Sequence, residues 1–153
     1  MDELTVVPYV LAYLTRTLNT QPQVLLIYRS HTGFGNNHYS LAGGKINAGE
    51  SPTEALIREL TEELAIEVDG KDVTFRTLLY FEGATRTCVA FLFSVEKWEK
   101  EPINNEPEKH DHIRWFDLSN LPPTLLPRHR ILIEQLNKEV LYGDVGFTHT
   151  REA

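Results

Sequence analysis

The sequence predicts an α/β domain in which a mixed β-sheet carries a helix on each face. Three observations support this. Segments rich in β-branched and aromatic residues stand before, between and after two helical patterns. The helical patterns lie far apart in the chain, so each can cover its own side of a sheet. No repeat, low-complexity tract or linker interrupts residues 1–153, which are expected to form one domain, with 144–153 as a tail without a clear signal.

The elements follow in order. PYVLAYLTRT (8–17) and QVLLIYRS (23–30) read as two strands around the polar link LNTQP, a hairpin pattern. A Gly/Asn loop, HTGFGNNH (31–38), leads to the short apolar piece YSLAGG (39–44). The first helix has a sharp start: Ser51 caps it, Pro52 suits the first helical position, and Glu54 completes a capping box. Leu56, Ile57, Leu60 and Leu64 then form one apolar stripe, and Gly70 is expected to close the segment. VTFRTLLYFEG (73–83) and TRTCVAFLFSV (85–95) are two strands around a turn near Gly83. A long polar loop (96–111) precedes HIRWFDL (112–118), a short strand, and a second amphipathic helix is expected after Pro127, within residues 121–143.

A net charge of −7 makes a nucleic-acid polymer a poor partner, because gripping its backbone needs a basic surface. A small polyphosphate stays open if metal ions neutralise both sides. Cys88 is the only cysteine, which rules out an internal disulfide and a cysteine-rich zinc site. The start, MDELTVVPYVLAYL, lacks the basic region of a signal peptide, and no apolar run approaches the ~20 residues that span a bilayer. A cytoplasmic setting without membrane contact is expected; the oligomeric state is open.

Glu59, Glu62 and Glu63 sit at i, i+3 and i+4, on one face of the first helix near its end. Like charges there repel one another and oppose the helix dipole, each at a cost of a few tenths to ~1 kcal/mol. A divalent cation reverses that sign, and converging carboxylates are what Mg²⁺ or Mn²⁺ prefers. Arg58 is expected to point away from the acids, toward Glu54 or Glu50.

The segment from Gly44 to Ile66 closely resembles the Nudix box: Gly44, five residues, Glu50, seven residues, Arg58-Glu59-Leu60, Thr61, Glu62-Glu63, Leu64, Ala65, Ile66. The one departure is Ala65, where the box has glycine; alanine would be strained in a left-handed helix exit. The resemblance implies an α/β/α sandwich and metal-dependent hydrolysis of a nucleoside diphosphate linked to another group. It implies metal binding by Glu59, Glu62 and Glu63, with the Gly44 carbonyl as a further ligand, and Glu50 and Arg58 as the partners that tie loop to helix.

Beyond the box the chain is similar to the MutT-type branch, which cleaves nucleoside triphosphates to a monophosphate and pyrophosphate. Arg29 in LLIYRS matches a phosphate-contacting arginine, and Gly43-Gly44-Lys45 matches G-G-K, with Ala42 where proline is usual. WEKEP resembles W-E-G-E-P, which implies either a fourth metal carboxylate at Glu101 or an exposed loop acid. PPTLLP (122–127) resembles P-P-A-N-E-P, but Leu125 replaces the asparagine that reads an oxidised guanine, which counts against 8-oxoguanine specificity. Asn104 and Asn105 read as turn-forming residues.

The catalytic set is thus expected to be Glu59, Glu62, Glu63, Glu101 and Arg58, with Glu62, Glu63 or Glu101 taking the proton of a metal-activated water. Arg29 and Lys45 are expected on the phosphates and Phe34 on the base. His31, His38, His110 and His112, in polar contexts, are expected to be exposed and outside the catalytic set. Two other readings stay open: a substrate that is a non-nucleotide diphosphate or pterin triphosphate, and an inert nucleotide-binding module.

Overall fold

The computed structural model describes residues 2–147. Of the expected tail, 148–153 lie outside the described residues. The chain runs β1 (Val6–Leu18), β2 (Gln21–Arg29), β3 (Tyr39–Ser40), β4 (Ala42–Lys45), α1 (Pro52–Leu64), β5 (Val73–Glu82), β6 (Thr87–Val95), β7 (His110–Asp117), α2 (Pro127–Asn137) and β8 (Tyr142–Val145).

β1 organises the sheet. One edge pairs in parallel with β6, from Val6↔Thr87 to Leu14↔Val95. The other edge is shared by two antiparallel partners: β4 along Tyr9–Ala12, and β2 along Thr15–Leu18. The expected hairpin between β1 and β2 therefore forms, but its strands separate after a few pairs. β2 turns instead to β7 on one side and to the short β3 on the other. Where the strands fork, the chain crosses from Ser40 on β2 to Ala42 on β1, and Leu41 fills the angle. β5 continues the sheet beyond β6, antiparallel to it, and β8 pairs in parallel with β5.

Alternation along β1 sends side chains to two cores. Val10, Ala12 and Leu14 meet Leu56, Leu60 and Leu64 of α1, whereas Leu11 and Tyr13 meet Leu132, Ile133 and Leu136 of α2. The sheet is covered on both faces, as expected. Burying one leucine contributes roughly 1.5–3 kcal/mol. The stripe of α1 therefore outweighs the dipole penalty of its late acids, and the helix can hold charge where charge is unfavourable.

Two helix ends differ from expectation, and one strand is added. α1 ends at Leu64 rather than near Gly70, because Ala65 adopts the left-handed conformation (φ 56°) and its N–H bonds to the Thr61 carbonyl. The strain expected at this alanine is present, at a cost of about 1–2 kcal/mol. α2 stops at Asn137, because Glu139 takes positive φ (56°) and the Val140 N–H returns to the Gln135 carbonyl. The chain then pairs with β5 as β8, a strand with no alternating pattern to announce it; Phe147 stacks on Tyr80.

Candidate active site

The capping box forms as the sequence predicts: Ser51 Oγ accepts from the Glu54 N–H at 3.1 Å, and Glu54 Oε1 accepts from the Ser51 N–H at 3.0 Å. This commits Glu54 and leaves Glu50 for Arg58. Arg58 donates twice to Glu50, at 2.6 and 3.0 Å, once to the Lys45 carbonyl at 3.0 Å, and through Nη1 to Glu59 at 2.9 Å and Glu62 at 3.2 Å. It points into the acids rather than away, a correction with a simple reason. With Glu50 on the loop, the planar fork spans loop and helix only by facing both. Its hydrogen bonds hold the Glu50 carboxyl below the usual carboxylate range.

The acids differ in setting. Glu62 is exposed, Glu59 is half-buried and Glu63 is only 6% exposed. Burial raises the Glu59 carboxyl, opposed by Arg58. Burial, reinforced by Glu59, pushes Glu63 well above the usual range, while a hydrogen bond from the Gly43 N–H at 2.7 Å opposes it. Gly44 lies flat on Glu59: a Cβ there would stand 2.5 Å from its Oε1.

The loop acid beside this group is Glu106, not Glu101. Carboxylate oxygens of Glu63 and Glu106 and a ring nitrogen of His110 lie within 4.8 Å of one another. Glu101 is exposed and does not line the cleft. The backbone docking of the loop explains this. The Ile103 N–H bonds to the Leu64 carbonyl and the Asn105 N–H to the Glu63 carbonyl, so the chain meets the end of α1 only after Glu101 has passed. Asn105 also donates from its side chain to the Glu62 carbonyl, and Asn104 to the His110 carbonyl. Both asparagines pin the loop, as turn residues do.

His110 corrects the expectation that the loop histidines are exposed: it is 2% exposed, with its Nδ1 buried and without a hydrogen-bond partner. Burial, then Arg29, lowers its pKa to about 4, so the ring is neutral at pH 7 and does not offset the acids. Its buried position arises from strand β7 and the docked loop, and neither leaves a local spacing in the sequence.

Gly44, Glu59, Glu62, Glu63, Glu106 and His110 line one cleft of about 660 Å³. Arg29, Lys45 and Phe34 line it too. Arg29 donates to the Phe34 carbonyl at 3.0 Å and lies 5.9 Å from the centre of that ring, itself 66% exposed. Leu125 is 2% exposed and bridges to Tyr39 instead; Leu126 and Pro127 line the cleft, followed by Arg128 and His129 at the start of α2. Cys88 and the turn around Gly83 and Arg86 also line it.

The donor set suits a hard divalent cation. Of the four carboxylates of the cleft, Glu59 and Glu62 pair with Arg58, Glu106 pairs with Lys109, and Glu63, the most buried, accepts from a backbone N–H, so the cations beside them are fewer than the acids. Among the described residues, no helix is long and apolar enough to cross a membrane.

Residues 8–136 match the NUDIX domain family. The oxidized purine nucleoside triphosphate hydrolase of Danio rerio is 30% identical over 109 residues, covering 71% of this chain and 68% of the relative. The 8-oxo-dGTP diphosphatase of Haemophilus influenzae is 34% identical over 98 residues, 62% and 71% of the two chains. Among solved structures, a MutT NUDIX hydrolase from Burkholderia pseudomallei superposes with a TM-score of 0.71 at 28% identity, covering 84% of this chain and 98% of that one. A MutT protein from Methanosarcina mazei, at 23% identity, shares the fold with a TM-score of 0.75 over 91% and 98% of the two chains. Its box, its acidic cleft and these relatives agree: the chain belongs to the Nudix family and is a Nudix hydrolase, of the divalent-metal-dependent kind that cleaves pyrophosphate linkages.

Proposed function

We propose that the chain hydrolyses a nucleoside triphosphate to a nucleoside monophosphate and pyrophosphate, with Mg²⁺ as its metal and the cytoplasm as its setting. The observation that carries this reading is the facing of unlike charges in one cleft: Glu59, Glu62, Glu63 and Glu106 beside Arg29 and Lys45. Such a cleft receives a polyphosphate when metal accounts for the acids. Bound Mg²⁺ would neutralise phosphate oxygens and acidify a water; Glu59, Glu62, Glu63, Glu106 and the Gly44 carbonyl are the groups that would hold it.

The residues of the chain then have distinct tasks. Arg29 and Lys45 neutralise non-bridging oxygens, which carry the charge of the transition state. Water oxygen attacks phosphorus, the bridging P–O bond breaks, and a carboxylate of the acid group takes the water proton. Arg58, bonded to Glu59 and Glu62 but also to Glu50, sets where those carboxylates stand. Phe34 offers an exposed ring at the mouth, where a base can stack. Glu106 takes the place that the resemblance gave to Glu101.

The test is phosphate and pyrophosphate release across nucleoside triphosphates, sugar- and dinucleotide-linked diphosphates and non-nucleotide diphosphates, with Mg²⁺ and with EDTA, alongside Glu62→Gln. Metal-dependent pyrophosphate release from triphosphates, lost in the variant, is the expected result. Turnover of linked diphosphates alone would move the substrate; nucleotide binding without turnover would make the chain an inert module.

A further inference from the structure

The cleft has a second end, away from the acids. There Arg86, on the β5–β6 turn, and Arg128, in the first turn of α2, line it together. The charges felt by the Cys88 thiol at this end are Arg86, Arg128 and Glu82, none of them from the acid group. Leu11, Ala90 and Leu132 give this end apolar walls, which suit a flat ring.

Arg128 is held in a fixed pose. Its Nη2 donates to the Glu82 carbonyl at 2.7 Å, and its guanidinium carbon lies 4.5 Å from the centre of the Phe81 ring. Its Nε is shielded from solvent and has no hydrogen-bond partner. A guanidinium held at one Nη and stacked on a ring keeps its remaining Nη N–H groups in one orientation for an acceptor in the cleft.

We propose that Arg128 determines specificity by reading the edge of the substrate base, selecting a 6-oxopurine with acceptors at both N7 and O6. This rests on the reading that the substrate is a nucleotide, whose phosphates occupy the acidic end and leave the base for this one. A guanidinium only donates, in a rigid fork. Guanine offers N7 and O6 side by side, the pair that arginine meets with two parallel bonds. Adenine offers N7 but places an amino donor beside it. An 8-oxopurine carries a hydrogen on N7 and sets donor against donor. The selectivity therefore departs from the oxidised substrates for which the curated relatives are named.

The experiment measures binding of dGMP, 8-oxo-dGMP, dAMP and deoxyguanosine 3′,5′-bisphosphate with Mg²⁺, and kcat/KM for the matching triphosphates, in the unmodified protein, Arg128→Gln and Arg128→Lys. The expected result is dGMP about 10- to 100-fold tighter than 8-oxo-dGMP and dAMP. Both variants should erase that ranking, the loss for dGTP falling mainly on KM. Lysine keeps the charge and the aliphatic stem, so a folded Arg128→Lys that retains the ranking overturns the proposal. A protein that prefers 8-oxo-dGMP or ranks no base overturns it as well. So does a bisphosphate that outbinds dGMP and loses this advantage in Arg128→Gln, because the arginine then binds an anion. Ranked binding without triphosphate turnover would sink the proposed reaction and leave this inference standing; turnover with flat ranking would do the reverse.

Discussion

The Gly43 N–H donates to Glu63 Oε1 at 2.7 Å, joining the strand beside the fork of the sheet to the most buried acid of the cleft. The bond aims the carboxylate but does not neutralise it, and burial beside Glu59 leaves that charge unfavourable without metal. Glu63→Gln keeps an acceptor for Gly43 and removes the charge. Its melting temperature in EDTA should equal or exceed that of the unmodified protein. Its kcat should fall by about 10²-fold or more, the scale of losing one preorganised group at a site of developing charge. Melting curves paired with pyrophosphate release check both halves; a parallel loss of stability and activity would mean that Glu63 is structural.

The two adjacent glycines should fail in different ways. A Cβ on Gly43 would overlap the Val10 carbonyl oxygen, and backbone cannot yield there without undoing the β1–β4 pairing. Gly43→Ala should therefore destabilise the fold by roughly 3 kcal/mol or more. A Cβ on Gly44 meets only the carboxylate of Glu59, 2.5 Å away, which can swing aside. Gly44→Ala should fold and lose most of its activity. Denaturant unfolding separates the two; equal stability losses would refute the distinction.

Those glycines and the acids they touch were readable in the sequence because their relation is local or nearly so. A capping box fixes where α1 begins, helical spacing then aligns Glu59 and Glu63, and the box supplies the glycines. Glu106, His110 and Arg128 were not readable in that way. Several acids stand in residues 96–111, and nothing in their spacing says which one reaches the cleft. The choice is made by the Ile103 and Asn105 N–H groups on the last carbonyls of α1. Arg128 and Leu125 are likewise sorted by the Leu125 bridge to Tyr39, a contact between residues far apart in sequence. The two sheet faces were legible from the alternating strands, whereas the early stop of α2 depends on Glu139 adopting positive φ, which its side chain does not announce.

Arg58 should not tolerate lysine. Its guanidinium reaches Glu50, Glu59, Glu62 and the Lys45 carbonyl at once, and one ammonium cannot satisfy that spread. Arg58→Lys should lower activity by about 10- to 100-fold, the usual cost of losing a group that orients ligands. The apparent affinity for Mg²⁺ should fall in step, read from the metal dependence of kcat/KM. Normal metal dependence in Arg58→Lys would show that the acids hold their places without it.

Divalent metal should stabilise the folded chain. The unfolded chain does not bring Glu59, Glu63 and Glu106 together, so binding favours the folded state, by about 2.7 kcal/mol when free metal is a hundred times its Kd. Thermal melts in Mg²⁺ should lie above those in EDTA, and the gap should shrink in Glu63→Gln. An identical gap in that variant would place the metal elsewhere.

His129 sets an acid limit on stability. It keeps some surface on the cleft, while its Nδ1 lies inside and accepts from the Leu41 N–H at 3.0 Å. Burial, with Arg29 adding to it, lowers its pKa to about 3. Above the unfolded value of about 6.5, both states are neutral and the residue adds no pH dependence. Between about 6.5 and 3 the unfolded chain binds a proton that the folded chain refuses, so stability falls as pH falls, by at most ~1.4 kcal/mol per pH unit. Below about 3 the loss levels off. His129→Asn retains an acceptor for Leu41 and cannot titrate. It should melt lower at pH 7.5, through lost packing, yet show a shallower decline from pH 6.5 to 4.5 than the unmodified protein. Parallel curves over that range would mean that His129 is protonated in the folded state, and that the Leu41 bond does not hold its nitrogen as an acceptor.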